Sequence, residues 1–216
     1  MAIFGTEDPT IRARLDRRAP SGGHGHGTGF SGVAEFPATL GEEEVMARLD
    51  AALDDPTIGY ECGTSVLHLR EEIDGHTCVL LRRFDEDEMW EIVTAFPLPG
   101  DPGVVINPPP AEPYPACQVA SAMIGFVASL PGFGRDEPGH ARLWVAATLA
   151  EVGEPYEAAI WALEMCVEHD VAFPEELYAT LLAMANYEYF DATYTGAPFS
   201  KLVAAEWRRH HPATWQ

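Results

Sequence analysis

The stretch TCVLLRRFDEDEMWEIVTAFPLP, residues 77–99, decides how the rest of the chain is read. It predicts two antiparallel strands joined by an acidic turn, Asp85-Glu86-Asp87-Glu88. Val79, Leu80 and Leu81 form the apolar middle of the first strand. In the second, Trp90, Ile92, Thr94 and Phe96 alternate with Glu91, Val93 and Ala95, the period of two that a half-buried strand requires. Strict alternation puts Thr94 on the same side as Trp90 and Ile92. A hydroxyl in such an aromatic row either bonds to a neighbouring strand or faces a site. Pro97 and Pro99 stop the strand, because proline has no N–H to give to a ladder.

Upstream, residues 65–73 alternate with Leu67, Leu69 and Ile73 on one face, and Asp74-Gly75 predicts a hairpin turn into the strand that follows. The result is a three-stranded antiparallel meander. A helix precedes it. Thr39 and Glu42 have capping-box spacing, Glu42, Glu43 and Glu44 crowd the positive end of the helix dipole, and Val45, Met46, Leu49, Ala52 and Leu53 make one apolar stripe. Asp54-Asp55-Pro56 ends it. Before the helix, residues 21–32, SGGHGHGTGFSG, are too glycine-rich for a helix or a central strand. That loop brings His24 and His26 together. It reads either as a backbone able to approach a ligand closely or as a flexible, weakly metal-chelating linker. Residues 11–18 form a short basic arm.

Downstream, residues 101–115 carry prolines at 102, 108, 109, 110, 113 and 115, an extended and stiff linker. Beyond it the periodicity turns helical. Residues 116–130 and 143–152 read as helices. A third opens at Pro155 with Tyr156, Ala159, Ile160, Leu163 and Val167 on one face. Pro174 starts a fourth with Tyr178, Leu181, Leu182, Ala185 and Tyr189, and a last one near residues 201–209 presents Leu202, Val203 and Trp207. The fold class expected is α+β: a helix with an antiparallel β-meander, followed by an all-α helical bundle. The domain order expected is an arm over 1–21, an α+β domain over 22–100, the proline linker over 101–115 and a helical domain over 116–216.

The chain has 216 residues, is 47% hydrophobic and has a formal net charge of -21. Through Pro115 there are 8 basic and 21 acidic residues, and beyond it 5 and 13, so the two halves carry -13 and -8. Both repel polyanions at long range, which argues against a general nucleic-acid binder and suits either a basic protein partner or a solvated acidic surface. Cys62, Cys78, Cys117 and Cys166 are far apart and form no C-x-x-C pair, so reduced thiols are expected and a zinc site is not. No apolar run has membrane-spanning length and the first 18 residues lack a secretory h-region, so a cytoplasmic protein is expected.

With the pieces in order, GGHGHGTG (22–29), GVAEFP (32–37), a helix ending DDP, and EIVTAFPLPGDPGVVINP (91–108) resemble the bacterial EndoU nuclease family. That family runs from a GGH loop through G-K-T-x-F-P and a helix to a closing strand with T-A-Y-P. The resemblance covers about residues 22–108 and implies an EndoU-like fold and an RNA endonuclease of the bacterial toxin type, working without cofactor or metal. Cleavage through the 2′-hydroxyl needs a base, an acid for the leaving 5′-oxygen and positive charge or donors at the phosphorane. The resemblance makes His24 the GGH histidine and Thr94 the nucleotide-contacting threonine. Phe96 stands where the family has tyrosine, and Val33 where it has lysine. No histidine precedes His24, so His26 is the candidate for the second histidine, and Arg82 is a candidate for the missing cation, beside Arg70 and Arg83.

Two functions follow. One is an EndoU-like ribonuclease acting on RNA through His24, His26 and Thr94, with Phe96 and Arg82 holding substrate. The other is a nuclease-derived acidic protein that does not cut and binds a basic protein, in an immunity or other interaction role. Neither calls for DNA or a membrane.

Overall fold

The structure is a computed structural model. It describes residues 24–84, 89–108, 111, 115–131 and 137–185, with positions 203, 205 and 209. The basic arm, the acidic turn at 85–88, Tyr189, Leu202 and Trp207 lie outside the described residues. The class is α+β. The chain divides into two compact units: Met1–Glu112 together with the short segment Glu151–Glu154, and Pro113–Ala150 with Pro155–Gln216.

In the first unit, β1 (Ala34–Glu35) is followed by α1 (Glu42–Asp54), then β2 (Ile58–Cys62), β3 (Ser65–Glu72), β4 (Gly75–Phe84), β5 (Met89–Pro97) and β6 (Val105–Ile106). Strands β2-β3-β4-β5 form a four-stranded antiparallel meander, and β1 pairs with β6 in a separate two-stranded sheet. The meander therefore has one strand more than the three read from sequence. Its first strand, IGYEC, is too short and too mixed to show alternation. Within the proline-rich stretch, Val105 and Ile106 pair back onto Glu35 and Ala34.

α1 begins as its charges require, with Glu42, Glu43 and Glu44 in the first turn, and ends at Asp54. Its N-cap is Gly41, without a side-chain bond, so Thr39 does not cap it. The stripe Val45, Leu49, Ala52 and Leu53 is buried, packing with Phe36, Val79 and Leu81 into one core that Leu40, Met46, Trp90, Ile92 and Ala95 complete. At about 25 cal/mol per Å² of apolar surface, such a face stabilises the helix far more than propensity does.

One feature of β5 changes the predicted faces. Leu80 pairs with Thr94 but Leu81 pairs with Ile92, so Val93 is an extra residue, a β-bulge. The bulge inverts the alternation. Trp90, Ile92 and Ala95 face α1, whereas Thr94 and Phe96 lie on the other face, opposite Leu80 and Cys78. Thr94 is thus not on the side of Trp90 and Ile92. Its face is buried as well: Ser65, Leu67, Leu69, Cys78, Leu80, Arg82, Thr94 and Phe96 are all inaccessible. Ile73 differs too. It sits with Asp74 in the two-residue loop closed by the Glu72–Gly75 pair, and it is fully exposed rather than aligned with Leu67 and Leu69.

The second unit contains α2 (Pro115–Ser129), α3 (Glu137–Glu151), α4 (Pro155–Glu168) and α5 (Glu175–Ala185). α2 packs against α4 and α5. α4 is buried all round, from Ala158 to Cys166 and including Glu157 and Glu164, rather than along one face. Pro174 precedes α5 and its carbonyl accepts from Leu177 and Tyr178. No helix among the described residues is long and apolar enough to cross a membrane.

Candidate functional site

The glycine-rich loop is held in place by a single carboxylate. Glu35 on β1 is buried and accepts from Gly27 N–H at 2.7 Å, Gly29 N–H at 2.7 Å, the Thr28 hydroxyl at 2.8 Å and the Asn107 amide at 2.8 Å. Gly27 and Gly29 have φ of 78° and 67°, the left-handed region in which glycine turns two nearby N–H groups toward one anion. Burial pushes the Glu35 carboxyl up, but the bonds from Asn107, Gly29, Gly27 and Thr28 outweigh it and bring the pKa from 4.5 down to about 2. Gly32 N–H donates to the carbonyls of Asn107 and Pro108, and Asn107 N–H to that of Val33, which ties the loop's end to β6. The loop is therefore structured.

Its two histidines part company. His26 is half exposed, with Nδ1 3.9 Å from Glu35 Oε2. His24 is 3% exposed and anchored at both ring nitrogens. Nδ1 donates to the Ala34 carbonyl at 2.7 Å, and Nε2 lies 2.9 Å from Glu154 Oε1. The backbone carbonyl of His24 accepts from Phe36 N–H, so the residue is fixed to the end of β1. Its ring tilts against Phe96, with centroids 5.8 Å apart.

The bulge at Val93 brings Thr94 to the same place. The Thr94 hydroxyl donates to Glu154 Oε1 at 2.7 Å, so Thr94 and His24 converge on one oxygen. Glu154 belongs to the segment Glu151–Glu154, which is part of the first unit. Ala34 N–H donates to the Val152 carbonyl at 3.1 Å, and Gly153 passes against Gly32 and Val33.

Of the residues singled out in the sequence, His24, Thr94 and Phe96 come together. Arg82 shares the face of Thr94 and Phe96, is 3% exposed and donates from Nε to Ser65 Oγ at 3.1 Å. Glu154, Glu35 and Asn107 were not anticipated; Glu35 and Asn107 sit inside the quoted motifs GVAEFP and VVINP, but nothing in their spacing announces a bond to a glycine loop.

Four arginines elsewhere among the described residues are engaged by acids. Arg48 pairs with Glu44 and Asp74, Arg70 with Asp55 and Glu72, Arg142 with Glu168, and Arg209 with Asp170. Among the described residues no group of three or more His, Cys, Asp or Glu side chains is placed to hold a metal.

No family model, no curated protein and no solved structure matches this chain.

Proposed function

We propose that residues 22–108 are an EndoU-like domain that does not cut RNA, in an acidic protein that works by binding a basic protein partner, with the helices beyond residue 115 forming a bundle attached to it. The observation that carries this reading is the state of His24. A general base or acid must present a ring nitrogen to its substrate. Here one nitrogen is taken by Ala34, the other by Glu154, and the ring is 3% exposed.

Charge supports the same conclusion. Phosphate contacts need accessible Lys or Arg, whereas Arg48, Arg70, Arg142 and Arg209 are ion-paired with acids and Arg82 is buried. The surplus of negative charge steers a cationic partner instead.

A ribonuclease is the second reading. It is favoured by the meeting of His24 and Thr94, the two positions at which the chain keeps the family's residues, on a single oxygen.

Retention of partners from native cell extract, at low and high salt and with and without nuclease treatment, separates the two. A basic protein that is retained at low salt, released at high salt and indifferent to nuclease supports the proposal. Tight retention of RNA with no protein partner overturns it.

A further inference from the structure

Backbone groups along an extended strand point alternately to its two sides, so one anchored residue fixes the direction of the next. Asn107 N–H donates to the Val33 carbonyl, and the Asn107 carbonyl accepts from Gly32, so both groups of Asn107 face β1. Ile106 therefore turns its N–H and carbonyl away from β1. Its register partner Ala34 agrees, since Ala34 N–H goes to Val152 and the Ala34 carbonyl to His24 Nδ1. β6 is thus the outer strand of the two-stranded sheet, and Ile106 offers one donor and one acceptor on its open edge.

Apolar side chains accompany those two groups. Phe30, Val105 and Ile106 are three of the six large apolar side chains exposed among the described residues. They belong to one place. Phe30 accepts from Val33 N–H in a tight turn, and Gly32 in the same turn bonds to Asn107 and Pro108 at the end of β6. The loop is built rather than loose, because Glu35 gathers Gly27, Gly29 and Asn107. An exposed aliphatic residue on its own is ordinary, but a group of them along an open strand edge favours pairing with a further strand. Val104, Val105 and Ile106 include no charge and no proline to oppose it.

We infer that the outer edge of β6 is a docking surface whose occupant is an extended segment of a basic protein, added as a strand beside Ile106. The inference rests on the proposed function and names the surface through which it acts. The donor and acceptor of Ile106 call for another extended backbone, because a nucleic-acid backbone has no N–H to give and a helix uses its own internally. Charge then selects among extended chains. With a formal net charge of -21, a second copy is repelled, whereas a segment carrying Lys or Arg between apolar residues is attracted.

The test uses the full chain and three short synthetic peptides: alternating Val-Lys, alternating Val-Glu, and Val-Lys with every backbone nitrogen methylated. Affinity is read from the fluorescence anisotropy of labelled peptide, and the place of binding from backbone amide signals. The Val-Lys peptide should shift the Ile106 amide saturably and slow its hydrogen exchange. The other two should bind about tenfold or more weakly. Ile106→Pro removes an N–H that the fold leaves unused, at an edge where proline is tolerated, and should weaken Val-Lys binding to a similar degree.

No binding of Val-Lys, or binding that leaves the Ile106 amide unmoved, overturns the inference. Equal binding of Val-Glu overturns the basic occupant, and a concentration-dependent dimer abolished by Ile106→Pro gives the edge to a second copy instead. Should Ile106→Pro fail to fold, undiminished binding of the methylated peptide to the wild type overturns the strand pairing. A basic protein that is retained from extract equally by wild type and Ile106→Pro removes this surface alone. Docking of Val-Lys at Ile106, with no basic protein retained from extract, counts against the proposed function alone.

Discussion

Thr94 and His24 are joined through one oxygen atom: the threonine hydroxyl and the histidine Nε2 both meet Glu154 Oε1, at 2.7 and 2.9 Å. The strand irregularity at Val93 makes this junction geometrically available, because it turns Thr94 away from the α1 core and toward His24.

Deleting Val93 removes the extra residue, so one half of β5 has to change faces. Either Trp90 and Ile92 leave the core, or Thr94 and Phe96 leave the His24 side. Destabilisation on the order of 3 kcal/mol or more is expected, measured by chemical denaturation. Unchanged stability would show that the bulge does not set the faces of this strand.

Gly153→Ala places a methyl group against Val33 and the Gly32 carbonyl at a positive φ. Backbone on one side cannot yield cheaply, and a non-glycine residue is strained there in any case. A loss of about 1–3 kcal/mol is expected, together with a change in the His24 ring signals as Glu154 is displaced. A variant as stable as the parent, with His24 unmoved, would contradict the fitted segment.

Glu35→Gln should loosen the glycine loop by about 2 kcal/mol or more, since an amide cannot accept from all the donors that now converge on the carboxylate. The pH dependence has a definite sign. The folded pKa of about 2 lies below the ordinary 4.5, so this contribution is fully present above 4.5 and is lost as pH falls toward 2. Acid denaturation of wild type and variant, followed over that window, should converge at its low end. Parallel curves would show that Glu35 is not what the acid attacks.

His68 lies on the α1 face of β3, 3% exposed, with a ring bond to the Ala52 backbone and no partner for Nδ1 among the described residues. Burial holds its pKa below the ordinary 6.5, so the neutral ring is the folded form. The stability it confers is present above 6.5 and declines as pH falls below it, because the unfolded chain takes up the proton first. His68→Phe should flatten the stability profile between that point and the onset of the Glu35 transition. An equal slope in both proteins would assign the loss elsewhere.

Much of the fold was legible in the sequence because its signals are local. The α1 stripe, its acidic first turn, the β3–β4–β5 periodicity and the proline that opens α4 each follow from residues a few positions apart. Strands β1 and β6 are two residues long and β2 is five, so none shows a period of its own; their pairing partners determine them. The face of Thr94 was misread because a bulge is visible only in the register of two strands. Val93 looks like any other alternating residue until Leu80 and Leu81 are seen to skip it.

The candidate site was legible in part. His24, Thr94 and Phe96 stand out by motif, and they do lie together. Glu154 gives no sign, since it sits in a connection between two helices and its role is set by a contact 130 residues away. Glu35 was likewise passed over, because a glycine-rich loop reads as flexible unless the carboxylate that gathers its N–H groups is seen.

The most direct test of the closed site is RNA cleavage itself. Purified wild-type protein and His24→Ala are incubated with labelled RNA, with and without chelator, and the ends are examined. A closed His24 predicts no cleavage above background and no difference between the two proteins. Metal-independent cleavage leaving 2′,3′-cyclic phosphate ends, reduced by about two to four orders of magnitude in His24→Ala, would contradict the account.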